Sequence, residues 1–160
     1  MEVINKVGSF VISLINDSSV VVKKARSNHT KTNFNSNLVL VDNLGKAIKL
    51  GGSDTFNGIF ESMSYSDYYK QTFTVDFYGS TAFDLCTNFI ALLRSQRSYD
   101  LQSQLGLTFY HPDGITDLKQ LNGTTYNNRL QIDFVVGYWI SADIDTLRID
   151  TVEIDINVEQ

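Results

Sequence analysis

The stretch Gln71-Thr72-Phe73-Thr74-Val75-Asp76-Phe77-Tyr78-Gly79-Ser80-Thr81-Ala82-Phe83 decides the fold, because two periodicities meet in it. Phe73, Val75 and Phe77 alternate with Thr72, Thr74 and Asp76, which is the period of a strand with one apolar and one wet face. Gly79-Ser80-Thr81 then offers a turn and a helix N-cap. Beyond it Ala82, Phe83, Cys86, Phe89, Ile90 and Leu93 fall on one helical face. A strand delivered by a short turn into an apolar-faced helix is the signature of a sheet packed by helices.

Reading toward the N-terminus, a strand is expected over Ile59 to Tyr65, a flexible tip at Gly51-Gly52-Ser53-Asp54, and a strand from Lys46 to Leu50. A turn at Asn43-Leu44-Gly45 should join that strand to another over Asn37 to Asp42. The polar, basic run Lys23 to Lys31 has no periodicity and reads as an exposed loop after the short β-branched run Val20 to Val22. Val3, Ile4, Val7, Phe10, Val11, Leu14 and Ile15 recur at steps of three and four, so the chain starts with an amphipathic helix that Asn16-Asp17-Ser18 ends.

Toward the C-terminus, a second helix from Tyr99 to Leu105 stops at Gly106, and a short strand from Leu107 to Tyr110 meets the turn His111-Pro112-Asp113-Gly114. The even positions Leu130 to Ile140 define a long strand. Its expected partner carries Val152, Ile154, Ile156 and Val158, with a bulge near Asp150-Thr151 because Leu147 and Ile149 lie in the other register. The fold class is α+β: a largely antiparallel or mixed sheet packed by an N-terminal helix and a central helix pair, in one domain spanning 1–160.

Composition narrows the function. With 42% hydrophobic residues, 160 residues can build a core without disulfides, and a lone cysteine, Cys86, cannot make an internal one. Glu2 and Lys6 interrupt the apolar residues of the first segment, which fits neither an export signal nor a membrane span. A cytosolic origin is therefore expected, and the matches to glycosylation sequons at Asn28-His29-Thr30 and Asn122-Gly123-Thr124 carry no weight. A net charge of −5 argues against a dedicated nucleic-acid binder, which needs clustered Lys and Arg to displace counterions. The same repulsion suits a protein past which DNA must slide.

Chemistry-bearing constellations are sparse. His29, His111 and Cys86 share no triad or zinc spacing, and Cys86 sits on an apolar helical face where a small core residue is expected. Gly45-Lys46 lacks the flanks of a phosphate-binding loop, so no cofactor is expected. The acidic set Asp143, Asp145, Asp150, Glu153 and Asp155 fits no calcium loop and alternates as a solvated strand face does. No catalytic or metal-binding residue is expected. A small enzyme acting through those carboxylates and a monomeric ligand-binding module stand as competing readings; loss of an assayable activity on Asp143, Asp145 and Asp155 substitution would mark the first.

The run Phe73 to Gly79, followed by Ala82-Phe83-Asp84 and the apolar helix, resembles phage neck or tail terminators, also called tail completion proteins. Leu105-Gly106-Leu107, Asp117-Leu118, Asn128 to Phe134, Val136-Gly137-Tyr138 and the acidic alternation from Ile149 to Ile156 extend the likeness over about Thr72 to Ile156. Family members carry prolines before the strand equivalent to Leu38 to Val41, whereas the sole proline here is Pro112, so the likeness says little about Lys23 to Asn37. The resemblance implies a homo-oligomeric ring, a hexamer, in the virion. It would cap the tail tube protein, join the head-side neck or connector protein, meet sheath protein if the tail is contractile, and pass DNA through its lumen without specific binding. Assembly would take place in the host cytoplasm, with no membrane partner and no catalytic residue. On that expectation Asp76, Asp133, Asp143, Asp145 and Asp155 are candidates to face the channel. Lys23, Lys24, Arg26, Lys31, Gly51 and Gly52 are candidates to reach adjacent subunits or partners. A tail tube or head-tail joining subunit of similar fold is the nearest alternative.

Overall fold

The computed structural model describes residues 2–26, 34, 36–112, 114–118, 120–122 and 125–145, the side chains of 120–122 and 125–127 excepted. Helix α1 (Val3–Ile15) turns Ile4, Val7, Phe10, Val11 and Leu14 inward, as the three-and-four spacing requires. It ends where Asn16 enters the left-handed region at φ 50° and its N–H caps the Ile12 carbonyl. Strand β1 (Val21–Lys24) follows, then two long strands, β2 (Leu38–Asn57) and β3 (Ser62–Tyr78). Helices α2 (Ala82–Leu92) and α3 (Gln96–Leu105) come next, then β4 (Leu107–Phe109), β5 (Thr116–Asp117) and a small hairpin of β6 (Gln120–Asn122) and β7 (Thr125–Asn127). Strand β8 (Arg129–Asp145) closes the described chain.

The architecture is α+β, with a mixed sheet in the order β1-β2-β3-β8-β4 and β5 also paired to β8. Only the β1–β2 pairing in it is parallel. Val39 and Val41, Phe73, Val75 and Phe77, and Leu130, Ile132, Phe134 and Val136 present the core face to the helices. Phe10 of α1 is fully buried there, stacked on Phe109 with ring centroids 3.9 Å apart. Gln102, itself buried, ties α3 to β4: its amide donates to the Ser98 hydroxyl and its oxygen accepts from the Phe109 N–H at 2.9 Å. Gly106 ends α3 at φ 64°, as the sequence requires.

Several expectations give way to one feature. The strands from Lys46 to Leu50 and Leu38 to Asp42 are one strand: Asn43-Leu44-Gly45 makes an irregularity in the β2–β3 register, with Gly45 at φ 67°, and not a turn. Gly51 and Gly52 are not a tip but lie inside β2, where a side chain at position 52 would strike the Asp67 carboxylate of β3. The true tip is Gly58 to Glu61, so Ile59 and Phe60 leave the strand expected for them. Lys23 and Lys24 belong to β1, paired to Leu40 and Val41, because the parallel ladder recruits them despite their polarity. Phe83 faces solvent, leaving Ala82, Cys86, Phe89 and Leu93 as the buried row of that helix and its cap. The second helix of the pair starts at Gln96, three residues earlier than its apolar pattern suggests, because Ser95 caps it through the Ser98 N–H. The C-terminal strand and its bulge lie outside the described residues.

Beyond the helices, β2, β3 and β8 continue together as a three-stranded extension that pairs through to Asn57, Ser62 and Asp145. Among the described residues no helix packs on it.

Candidate functional site: the polar face of the sheet

Residues directly opposite in an antiparallel pair share a face, and neighbours along a strand alternate. The register places Asp42, Thr74 and Asp133 in one cross-strand row and Leu40, Asp76 and Gln131 in the next. Further out on the same face, Ser66 lies opposite Ser141, Ser64 opposite Asp143 and Ser62 opposite Asp145. Four of the five candidate acids, Asp76, Asp133, Asp143 and Asp145, therefore lie on the sheet face turned away from the helices. Asp155 lies outside the described residues.

The four are not equivalent. Asp133, Asp143 and Asp145 are exposed. Asp133 accepts from the Gln131 amide at 3.0 Å, and Asp143 accepts from the Ser64 hydroxyl. Asp76 is 6% exposed, so it does not offer its charge to the surface as the channel-facing expectation requires. Its carboxylate is gripped by Arg129 through two bonds, Nε to Oδ1 at 3.3 Å and Nη2 to Oδ2 at 3.1 Å. Desolvation still holds the Asp76 carboxyl above its ordinary 3.8; the Arg129 bonds pull against that shift, and nearby Asp133 and Asp42 add to it. Asp42, also buried, bonds Arg26 Nε at 2.7 Å. Between these acids the Thr74 hydroxyl is buried without a hydrogen-bond partner among the described residues.

The extension changes the character of this face from salt-bridged to hydroxylated. Ser53, Thr55, Ser64, Ser66 and Ser141 line it, with the Ser66 and Ser141 hydroxyls 2.9 Å apart. At its inner end Trp139 packs on Tyr68 with centroids 5.0 Å apart, and Lys70 sits 4.1 Å over the Tyr110 ring. Gly137 makes room for this cluster, since a side chain there would collide with the Tyr68 hydroxyl.

The candidate partner residues are scattered. Lys24 bonds Glu2, the N-cap residue of α1, at 2.9 Å; Lys23 pairs with Leu40 on the edge strand beside the polar face, and Arg26, although largely exposed, is committed to Asp42 on that face. Lys31 lies outside the described residues. Gly51 and Gly52 sit in the extension. The structure thus brings the acids together on one face and separates the basic residues from the glycines. Sequence reasoning missed the tip residues Ile59 and Phe60, 87% and 74% exposed, although Asn57-Gly58 was a turn signal.

Catalytic chemistry finds little to use. Among the described residues no three His, Cys, Asp or Glu side chains are placed to hold a metal ion. Cys86 is buried, and burial pushes its thiol up to about 11, away from nucleophilic thiolate. His111 accepts from Arg94 Nε at 3.0 Å. No described helix is long and apolar enough to cross a membrane.

A family model described as phage neck terminator protein matches residues 1–160, the whole chain. No curated protein gives a significant match.

Proposed function

We infer that this chain completes a phage tail at its neck, because it belongs to the phage neck terminator family, a family of structural rather than enzymatic proteins. We further propose that its copies close into a ring, six being the expected number, on the end of the tail tube and below the head-side connector. The ring's lumen passes DNA, and the polar face of the sheet lines it. One observation carries this assignment: three exposed carboxylates and a run of hydroxyls share one face of a sheet whose other face holds the core. Such a face stays wet and repels phosphate, so a duplex slides past it without being held. Lys24 and Lys31 would then serve neighbours, while Lys23 and Arg26 flank the β1 edge of the polar face, Arg26 with its charge offset by Asp42. Gly51 and Gly52 would let the extension bend against the next subunit.

Cryo-electron microscopy of the purified protein tests the reading. The expected result is a closed annulus with Asp133, Asp143 and Asp145 turned inward; a ring with these carboxylates outward and lysines in the lumen would overturn it. A tail tube subunit would polymerise into a tube at high concentration, whereas a terminator stops at one ring.

A further inference from the structure

The extension ends in an apolar tip that its own subunit does not cover. Ile59 and Phe60 are 87% and 74% exposed, and Phe56 beside them is half exposed. The tip is built to hold its shape: the Asn57 side-chain oxygen accepts from the backbone N–H groups of Ile59 and Phe60 at 3.1 and 3.4 Å. A preformed turn that displays two large apolar side chains loses little entropy on docking.

A second feature complements it. Ile90, Ala91 and Arg94 at the end of α2, with His111 and Ile115 between β4 and β5, line an open cleft of about 500 Å³. That volume falls within the roughly 300–1,000 Å³ range of pockets that bury a sizeable ligand. Its floor is apolar and a guanidinium stands in it, while the tip carries the exposed carboxylate of Glu61 directly after Phe60. Apolar meets apolar and the charges are opposite. A subunit does not fill its own cleft, however. The cleft sits at the level where β4 and β5 pair the inner half of β8. The tip lies some 25 Å beyond the helices, from the ~3.4 Å rise over Ser62 to Tyr69.

We propose that the tip Ile59-Phe60-Glu61 of one copy seats in the α2 cleft of the next, Phe60 and Ile59 against Ile90 and Ile115, and Glu61 paired with Arg94. Tip and cleft are different patches of one surface, so the contact is heterologous: every subunit gives one tip and receives one, and the chain of contacts forms a ring when the rotation per subunit closes. The proposal rests on the ring reading above and names the contact that closes it.

Mass photometry of the full-length chain across a concentration series tests the two separately. Phe60→Asp, and separately the charge reversals Glu61→Arg and Arg94→Glu, should each shift assembly to at least about tenfold higher concentration, with unchanged circular dichroism, and the Glu61→Arg/Arg94→Glu pair should recover most of the loss. Under oxidation, Phe60→Cys with Ile115→Cys should give a ladder of cross-linked oligomers, and neither single variant should. Wild-type rings matched by equally stable Phe60→Asp rings would overturn the tip contact alone. A cross-linked dimer from Phe60→Cys alone would show tip against tip and overturn it too. A wild type that stays monomeric throughout would overturn the ring and the contact together.

Discussion

Replacing Arg129 with methionine removes the partner of a buried carboxylate while keeping the aliphatic stem. The Asp76 side chain is 9% exposed and that of Arg129 34%, joined at 3.1 Å. Breaking a fully buried pair costs ~3–5 kcal/mol, and the partial exposure of Arg129 lowers this to about 2–3 kcal/mol. The penalty belongs to the charged form of Asp76. Its folded-state value already lies above 3.8, raised first by desolvation, so the folded protein holds that proton more tightly than the unfolded chain. Stability from this group is greatest below 3.8 and falls as the pH rises through the folded value. Losing Arg129 raises that value further and extends the fall to higher pH. Urea unfolding at pH 7 and at pH 4, at one fixed protein concentration, should show a loss of about 2–3 kcal/mol at pH 7. The loss should be distinctly smaller at pH 4, with the m-value unchanged. The pH 7 loss corresponds to a melting shift of about 4–12 °C for a chain of this size. A loss below about 0.5 kcal/mol at pH 7 would mean that the pair contributes no net stability. An equal loss at both pH values would assign the effect to the contact of the Arg129 guanidinium with Tyr78, its Cζ 5.7 Å from the ring centre, and not to the Asp76 charge.

Two further outcomes follow from single positions. Gly79→Ala should cost roughly 2 kcal/mol or more in urea unfolding, because φ is 105° and the new methyl would meet the Ser36 carbonyl oxygen at 2.7 Å; a change under about 0.5 kcal/mol would contradict that geometry. Cys86 should react with a thiol reagent at pH 8 at least about a hundredfold more slowly in the native protein than in urea, and comparable rates would show that its helix face opens readily.

The core half of the fold was legible in the sequence because each element there has a wet side and a dry side. Phe73, Val75 and Phe77 alternate, and Ile4, Val7, Phe10, Val11 and Leu14 step by three and four, since both rows meet in one core. The extension was not. Its side chains satisfy no single pattern, since Gly51 and Gly52 imitate a loop and Asn43-Leu44-Gly45 imitates a turn, while both are held in strand by pairing to β3 residues up to 30 positions away in sequence, as Asn43 is from Phe73. The candidate acids were legible as residue types but not as a face. Only the β3–β8 register puts Asp133, Asp143 and Asp145 on the side of Asp76, and only the distance to Arg129 shows that Asp76 is already spent. Lys23 and Lys24 failed for the opposite reason: parallel pairing to Leu40 and Val41 overrode a local sequence that reads as loop.

The same irregularity that hid the extension bears on its purpose. On its helix-side face, Phe56, Met63 and Ile144 form one row, with Tyr65 and Ala142 in the next. Phe56, Tyr65 and Ile144 are each 42–56% exposed. The other face carries serine, threonine and aspartate, with Tyr68, Lys70 and Trp139 at its inner end. The alternation of faces thus continues outward for the length of nine β3 residues, Ser62 to Lys70, although the subunit's helices stop short of them and the helix-side face also carries Asp54 and the Lys49–Asp67 ion pair. Three strands at ~4.8 Å spacing over ~30 Å offer roughly 400 Å² on the helix-side face, about half of the ~800 Å² per partner of a stable interface. A monomer would gain nothing by holding that apolar row in register with its core. In the proposed ring a neighbouring copy would cover the row while the hydroxylated face stayed in water, the tip contact adding the remaining area.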